Sequence, residues 1–128
     1  MKRDLRPILV IAAIRNEELI EFMRKTFKDA RTFGARKVII HAFTNSNYWD
    51  FFRDSREAIL DNIELGVEIY TWKKDEMEKM LKNIPEPEKL KGVIFHCSEE
   101  ERMFLKKVQD SVPLQYKASL LKDYCRQP

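Results

Sequence analysis

The chain has 128 residues, of which 44% are apolar and 35% charged, a composition typical of one globular domain spanning residues 1–128. Its longest apolar run, at residues 8–14, is shorter than the ~18 residues that cross a bilayer, and no signal-peptide cleavage site follows it, so we expect a cytoplasmic protein that does not enter a membrane. The net charge of +3 does not by itself indicate a nucleic-acid-binding protein, and the two cysteines argue against a disulfide framework.

Four short runs rich in valine, isoleucine and aromatic residues predict β-strands. The runs are ILVIAAI (8–14), KVIIHAF (37–43), VEIYTW (67–72) and GVIFHC (92–97). They are almost continuously apolar, as is typical of strands that are covered on both faces of a parallel sheet. Segments with helical periodicity separate the strands. In the first of them, Leu19, Met23 and Phe27 share one narrow arc that would pack on the sheet.

The alternation β-α-β-α-β-α-β-α predicts a three-layer α/β fold, Rossmann-like or flavodoxin-like, with a mostly parallel sheet. The expected strand order is 2-1-3-4. After Pro113 the pattern leaves two alternatives open, a fifth edge strand at residues 114–118 or a final helix through Tyr124.

The three glycines each stand just before a predicted strand, and Gly34 and Gly66 directly follow a helical pattern. That is the usual position of a left-handed residue that ends a helix. No glycine is left to form a phosphate-binding loop after a strand, and neither a GxGxxG motif nor a Walker A motif is present. Nucleotide binding through those motifs is therefore excluded, and we expect no bound cofactor.

The second helical segment contains the unusual sequence YWDFF. The helical wheel assigns one group of its apolar residues to the sheet: Tyr48, Phe52, Ile59 and Ile63. Phe51 and Leu65 lie on a separate side, where they would form the subunit contact of a homodimer. Alternatively, Trp49 is a stacking platform that holds a base or another planar anion beside the nearby arginines.

In sheets of this kind, ligands bind beyond the carboxyl ends of the strands, where the strand order reverses. With the order 2-1-3-4, this point lies between the first and third strands and brings Arg15 and Asn16 toward Lys73 and Lys74. The candidate binding residues at this edge are Arg15, Asn16, Asn45, Ser46, Trp49, Lys73 and Lys74. Their types favour an anionic ligand, a nucleotide or nucleic-acid segment, or a protein partner.

Cys97 ends the fourth predicted strand just before a helix, where the pKa of a thiol can be lowered. It is the candidate nucleophile of a thiol-dependent hydrolase or transferase, with His96 or His41 as the base. His96 is the adjacent strand residue, so its side chain should point to the opposite face. His41 would be three strand spacings away in the order 2-1-3-4, or about 14 Å, which is too far for proton transfer.

The stretch VIFHCSEEER resembles the active loop of single-domain rhodaneses, in which four residues separate a cysteine from an arginine. The corresponding pair here is Cys97 and Arg102, and the resemblance implies thiol chemistry at Cys97. It covers about ten residues, and the Asp-x-Arg and Gly-His-Ile patterns of that family have no counterpart upstream. Ser98 and Glu101 of the same stretch predict a capping box at the start of the following helix.

The two histidines and two cysteines are scattered, with no C-x-x-C or H-x-x-x-H spacing, so the sequence predicts no metal site. Two interpretations stay open. One is a non-catalytic binding module that uses the carboxyl edge of the sheet, and the other is the thiol enzyme centred on Cys97. We favour the first, because no acid–base pair can be assembled from this sequence.

Overall fold

The computed structural model describes residues 4–126, which form a five-stranded sheet with helices on both faces. The strands are β1 (Ile8–Ala13), β2 (Lys37–Phe43), β3 (Gly66–Trp72), β4 (Gly92–Cys97) and β5 (Leu120–Asp123). The helices are α1 (Leu19–Thr32), α2 (Tyr48–Asp61), α3 (Met77–Leu81), α4 (Arg102–Ser111) and α5 (Leu114–Lys117). Short 3-10 turns precede α1, α3, β4 and α4. Within residues 4–126, no helix combines the length and the apolar character that crossing a membrane requires.

All strand pairs in the sheet are parallel, which confirms the predicted α/β fold and is consistent with a Rossmann-like or flavodoxin-like arrangement. The strand order, however, is 3-2-1-4-5, so the predicted order 2-1-3-4 is wrong. Burial explains the difference. β3 carries Glu68 and Thr71 and is only partly buried, as suits an edge strand, whereas β4 is buried from Gly92 to His96 and lies next to β1 in the interior of the sheet.

The C-terminal region contains a fifth edge strand, but it lies at Leu120–Asp123, after the range 114–118. That range holds the short helix α5 and its end, and the alternative of a final helix through Tyr124 is wrong. β5 packs closely on β4 because Gly92 has no side chain. A Cβ atom added at Gly92 would lie 2.4 Å from Cγ of Leu121.

The two faces of the sheet bury separate apolar clusters. On one face, Ile8, Val10 and Ala12 of β1 pack with the buried stripe of α1, which confirms the predicted arc of Leu19, Met23 and Phe27. On the other face, Leu9, Ile11 and Ala13 pack with Met80 of α3 and with Leu105 and Val108 of α4. Gly34 has a φ of 71°, as expected for a left-handed residue, whereas Gly66 is the first residue of β3 and has no positive φ.

Helix α2 packs through a side about a quarter turn around the helix from the one predicted. Its buried residues are Phe51, Ser55 and Ala58, and Leu65 beyond its end is buried too, so Phe51 and Leu65 are core residues rather than a subunit contact. The apolar pattern predicted the wrong face because Ser55, a polar residue, is buried. Its hydroxyl donates to the Phe51 carbonyl at 2.7 Å. Of the predicted inner face, only Ile59 packs against the core. The large apolar side chains left exposed on this helix and just after it, here called the α2 apolar face, are Tyr48, Trp49, Phe52, Leu60 and Ile63.

Candidate binding cleft at the carboxyl edge of the sheet

The strand order 3-2-1-4-5 moves the reversal point of the sheet. It lies between β1 and β4, because the chain leaves β1 toward α1 on one face and leaves β4 toward α4 on the other. Parallel sheets place ligands at such a point. The predicted location between the first and third strands is therefore wrong, and across the reversal point the backbone of Arg15 meets Ser98. Lys74 nevertheless comes to the same edge as Arg15 and Asn16.

A cavity of about 200 Å³ opens at this edge, above the ends of β1 and β2. Its lining residues are Ile14, Arg15, Asn16, Glu17, Phe43, Thr44, Asn45, Lys74 and Glu101. We call it the carboxyl-edge cleft. Four of the seven predicted binding residues line it: Arg15, Asn16, Asn45 and Lys74.

Backbone hydrogen bonds beyond the strand ends fix the floor of the cleft. Ile14 N–H donates to the Phe43 carbonyl at 3.1 Å, and Thr44 N–H donates to the Trp72 carbonyl at 3.2 Å. Across the reversal point, Arg15 N–H donates to the buried hydroxyl of Ser98 at 2.9 Å. Ser98 makes no side-chain cap on the following helix, so the predicted capping box is wrong, and its hydroxyl instead positions the backbone of Arg15.

A small polar network orients Asn16. Its Oδ1 accepts hydrogen bonds from Thr44 Oγ1 at 3.2 Å and from Ser46 Oγ at 2.7 Å, and Ser46 N–H donates to Thr44 Oγ1. These bonds hold the loops after β1 and β2 together. They do not use the two Nδ2–H donors of Asn16, which remain available for a ligand.

The cations of the cleft pair with nearby carboxylates. Arg15 Nε lies 2.9 Å from Glu17 and its Nη1 lies 3.5 Å from Glu100, while Lys74 pairs with Glu101. The arginine and lysine side chains are about half exposed. The two Arg15 pairs are exposed and contribute only about 0–1 kcal/mol each, so an incoming anion can replace Glu17 and Glu100 at little cost. Glu101 is different, because its side chain is only 19% exposed.

The other predicted residues lie at or beyond the rim. Ser46 does not line the cavity, but its hydroxyl donates to Asn16 Oδ1, which does. Lys73 Nζ lies 3.5 Å from the Asn45 carbonyl and does not line the cavity. Trp49 is 74% exposed on α2 and contacts the Tyr48 ring, so it is not part of the cleft. Sequence reasoning missed Thr44, although it directly follows β2. It also missed Glu101, because the predicted order placed the end of β4 away from the first two strands.

The imidazoles do not serve Cys97. His96 lies on the α1 side of the sheet, between the rings of Phe22 and Tyr124, with centroids 5.0 and 4.3 Å away. Cys97 packs on the other side, as predicted. Burial, together with the positive charge of Lys25, lowers the pKa of His96 to about 3, so its ring is neutral at physiological pH.

His41 is on the same side as Cys97 but on β2, with β1 in between, so two strand spacings separate them rather than the predicted three, or about 10 Å. Its Nδ1 accepts a hydrogen bond from Trp72 Nε1 at 3.0 Å, and burial lowers its pKa to about 4. Neither histidine can take the proton of the thiol.

Two other groups, Cys125 and Arg102, do lie beside Cys97, and the sequence did not predict that both would meet there. The thiol of Cys125 donates to its sulfur, and the guanidinium of Arg102 lies close by, and both lower the pKa of Cys97 against the opposing effects of burial and Asp123. The arginine is the one singled out by the likeness to the rhodanese loop. The pairing with Cys125 could not be predicted, because it depends on the register of β5.

Comparisons with known proteins agree with this fold. The model of a family described as a family of unknown function, DUF5751, matches residues 10–126. A solved structure of a hypothetical protein from Sulfolobus tokodaii is similar, with a TM-score of 0.88 and 35% sequence identity over 94% of this chain and 97% of that chain. No curated protein matches the chain. The two descriptions name no ligand and no reaction.

Proposed function

The chain belongs to DUF5751, a family of unknown function, and we propose that it is a non-catalytic binding module that holds a small anionic ligand in the carboxyl-edge cleft. The observation that carries the proposal is the convergence of Arg15 and Lys74 on one cavity beside the amides of Asn16 and Asn45. This cavity adjoins the reversal point of a parallel sheet, where such folds bind ligands.

The chemistry of the lining favours an anion that also accepts hydrogen bonds. Arg15 offers a planar fork of donors, Lys74 a compact ammonium, and Asn16 two amide donors. Phosphate oxygens match all three. The exposed carboxylates of Glu17 and Glu100 hold Arg15 in place while the cleft is empty of ligand, and the anion replaces them when it enters. Lys74 keeps its ion pair with the largely buried Glu101.

The size of the cleft favours a small ligand over a nucleic-acid segment. A cavity of about 200 Å³ is below the ~300–1,000 Å³ of sites for drug-sized molecules, and it fits a phosphate group with a small substituent. Trp49 lies outside the cleft, so no aromatic platform accompanies the cations as it does in single-strand-binding grooves. A nucleotide would therefore enter by its phosphates.

A protein partner also forms part of the proposal, because the α2 apolar face is exposed. Trp49 is 74%, Leu60 60% and Ile63 81% exposed. Several large apolar side chains exposed on one part of a helix indicate a contact site. The partner expected from the sequence is a second copy of the chain, in a cytoplasmic homodimer, and the contact would use this face instead of Phe51 and Leu65.

Titration calorimetry tests the anion proposal with inorganic pyrophosphate and a nucleoside monophosphate as probes, at low and at high salt. Saturable binding that weakens with salt is expected. Arg15→Gln and Lys74→Gln should each weaken it about tenfold or more, since hydrogen bonds to charged groups contribute about 1.5–3 kcal/mol.

Lys79→Gln is the matched control. Lys79 is on α3, its side chain is 72% exposed, and it lies outside the cleft. This variant should bind the probes as the unchanged protein does. The proposal is wrong if neither probe binds, or if Lys79→Gln weakens binding as much as Lys74→Gln.

A further inference from the structure

The two cysteines lie close to each other where β4 and β5 end. The β4–β5 ladder pairs Phe95 with Asp123, and Tyr124 N–H donates to the Phe95 carbonyl at 2.9 Å. Cys97 is the last residue of β4, two residues after Phe95, and Cys125 lies in the turn after β5, two residues after Asp123. Both pack into the cluster under α4, and the side chain of Cys125 is among the groups that act on the Cys97 thiol.

The thiols are free, and their surroundings differ. Cys97 is partly exposed, while Cys125 is only 7% exposed. The guanidinium of Arg102 lies beside Cys97, and its buried Nε makes no hydrogen bond within the described part of the chain. The pKa of the more accessible Cys97 thiol is thus lowered, and the neighbouring Cys97 and burial raise the pKa of the Cys125 thiol.

The segment that carries Cys125 is held in place. Its backbone N–H donates to Asp123 Oδ1 at 2.9 Å, and Asp123 Oδ2 accepts from Gln109 Nε2 of α4 at 3.0 Å. These bonds fix the backbone that carries the second sulfur. This cluster does not share a lining residue with the carboxyl-edge cleft.

We propose that Cys97 and Cys125 form a redox-active dithiol that exchanges with low-molecular-weight disulfides, with Cys97 as the attacking sulfur and Cys125 as the resolving sulfur. This role is independent of anion binding in the cleft. It differs from the thiol hydrolase or transferase considered from the sequence, because it needs no imidazole base.

The exchange balances with a small disulfide such as oxidised glutathione as the oxidant. The Cys97 thiolate attacks one glutathione sulfur, the disulfide bond of the glutathione breaks, and the first glutathione leaves as a thiolate that takes up a proton. Cys125 loses its proton and attacks the Cys97 sulfur of the mixed disulfide, and the second glutathione leaves and is protonated. Two protein thiols are oxidised to one disulfide, and one oxidised glutathione is reduced to two thiols.

The product would link the turn after β5 to the end of β4. β5 is a four-residue edge strand with a register shift against β4, so it depends on few backbone hydrogen bonds. A covalent link at this point closes a loop that includes α4 and α5 and restricts the unfolded chain. Oxidation should therefore raise the melting temperature.

The test incubates the native protein in glutathione redox buffers, quenches with acid, alkylates the free thiols, and determines the mass and the linked peptides. We expect a monomer that is lighter by two hydrogens, with residues 97 and 125 joined and no glutathione bound. Cys125→Ala should trap one glutathione on Cys97, whereas Cys97→Ala should form no adduct.

Arg102→Gln should slow the reaction with oxidised glutathione several-fold, and Lys107→Gln on the exposed side of α4 should leave it unchanged. Circular dichroism checks that each variant is folded. The disulfide-linked peptide from the unchanged protein tests the proposal even if a variant does not fold. The proposal is overturned if both thiols stay reduced in the native protein while a surface dithiol peptide oxidises in the same buffers. It is also overturned if oxidation joins two chains instead of residues 97 and 125.

Discussion

The indole of Trp72 donates a hydrogen bond from Nε1 to Nδ1 of His41 over 3.0 Å, and the two rings are parallel, with centroids 6.1 Å apart. Tyr70, which pairs with His41 across the β2–β3 ladder, stacks its ring on the same imidazole, with centroids 4.6 Å apart. Because Nδ1 accepts, the proton of the neutral ring is on Nε2. The edge strand β3 is thereby joined to β2, which is buried from Val38 to Phe43, through side chains as well as through the backbone.

Trp72→Phe should lower the free energy of unfolding by about 1–3 kcal/mol, because it leaves the buried Nδ1 of His41 without a donor. Urea denaturation at pH 7 measures this loss. Tyr70→Phe is the matched control: it removes an exposed hydroxyl that donates to Glu68, and it should cost less than about 1 kcal/mol. Equal losses for the two variants would contradict a structural role for the indole–imidazole bond.

Acid should destabilise the protein through its two histidines before most carboxylates titrate. The pKa values of His41 and His96 are lowered to about 4 and about 3, whereas a histidine in the unfolded chain titrates near 6.5. The unfolded chain therefore binds more protons, so stability is complete above pH 6.5 and is lost as the pH falls toward 4. Each histidine contributes about 1.4 kcal/mol per pH unit in this window.

His96→Phe isolates one of these contributions, because phenylalanine can occupy the space between Phe22 and Tyr124 without titrating. Between pH 6.5 and 4.5, the variant should lose about 2 kcal/mol less stability than the unchanged protein in urea denaturation. Curves that stay parallel over this range would show that His96 is not buried as described.

Gly92→Ala should destabilise the protein by about 1–3 kcal/mol, because the new methyl group meets Leu121 at 2.4 Å in a well-packed region. Gly66→Ala is the matched control. Its Cβ would come no closer than 3.6 Å to any atom, and its φ is not positive, so little change is expected.

The double variant Gly92→Ala with Leu121→Ala completes the experiment. Removing the leucine relieves the overlap, so the double variant should lose less stability than the sum of the two single variants. Strict additivity in thermal or urea denaturation would mean that β5 does not pack on β4 at this position.

Two adjacent phenylalanines test the orientation of α2. Phe51 is fully buried and Phe52 is 37% exposed. Phe51→Ala should cost about 3–5 kcal/mol, and Phe52→Ala clearly less. A larger loss of stability for Phe52→Ala than for Phe51→Ala would instead support the orientation that the helical wheel predicted.

The same helix carries the prediction of a homodimer. Leu60→Glu and Ile63→Glu place charges on the α2 apolar face and should shift the molecule to a monomer in sedimentation equilibrium, with little loss of stability. Glu57→Gln, an exposed change on the same helix, is the control. A chain that is monomeric before substitution contradicts this contact.

The sequence carried enough information for the fold class, because buried parallel strands and amphipathic helices have distinct patterns. It did not reveal the strand order, since that depends on how much burial each strand receives. Glu68 and Thr71 in β3 were the available signal for an edge strand. The position of β4 beside β1 then changed which loops meet at the reversal point.

The candidate site was predicted in part. Arg15, Asn16 and Asn45 line the cleft because they directly follow β1 and β2, which are adjacent in both the predicted and the observed order. Trp49 lies outside the cleft because packing of Phe51 and Ser55 decides which side of α2 faces the sheet. The periodicity of the apolar residues alone does not show that side.

The most direct measurement of the central claim is a backbone amide NMR titration with inorganic pyrophosphate. We predict saturable shifts that share one dissociation constant at residues 15–17, at residues 44–46 and at Lys74, and whose dissociation constant rises about tenfold or more in Lys74→Gln. Shifts confined to the exposed cations of α1, such as Arg24 and Lys28, or shifts that never saturate, would contradict a binding site in the carboxyl-edge cleft.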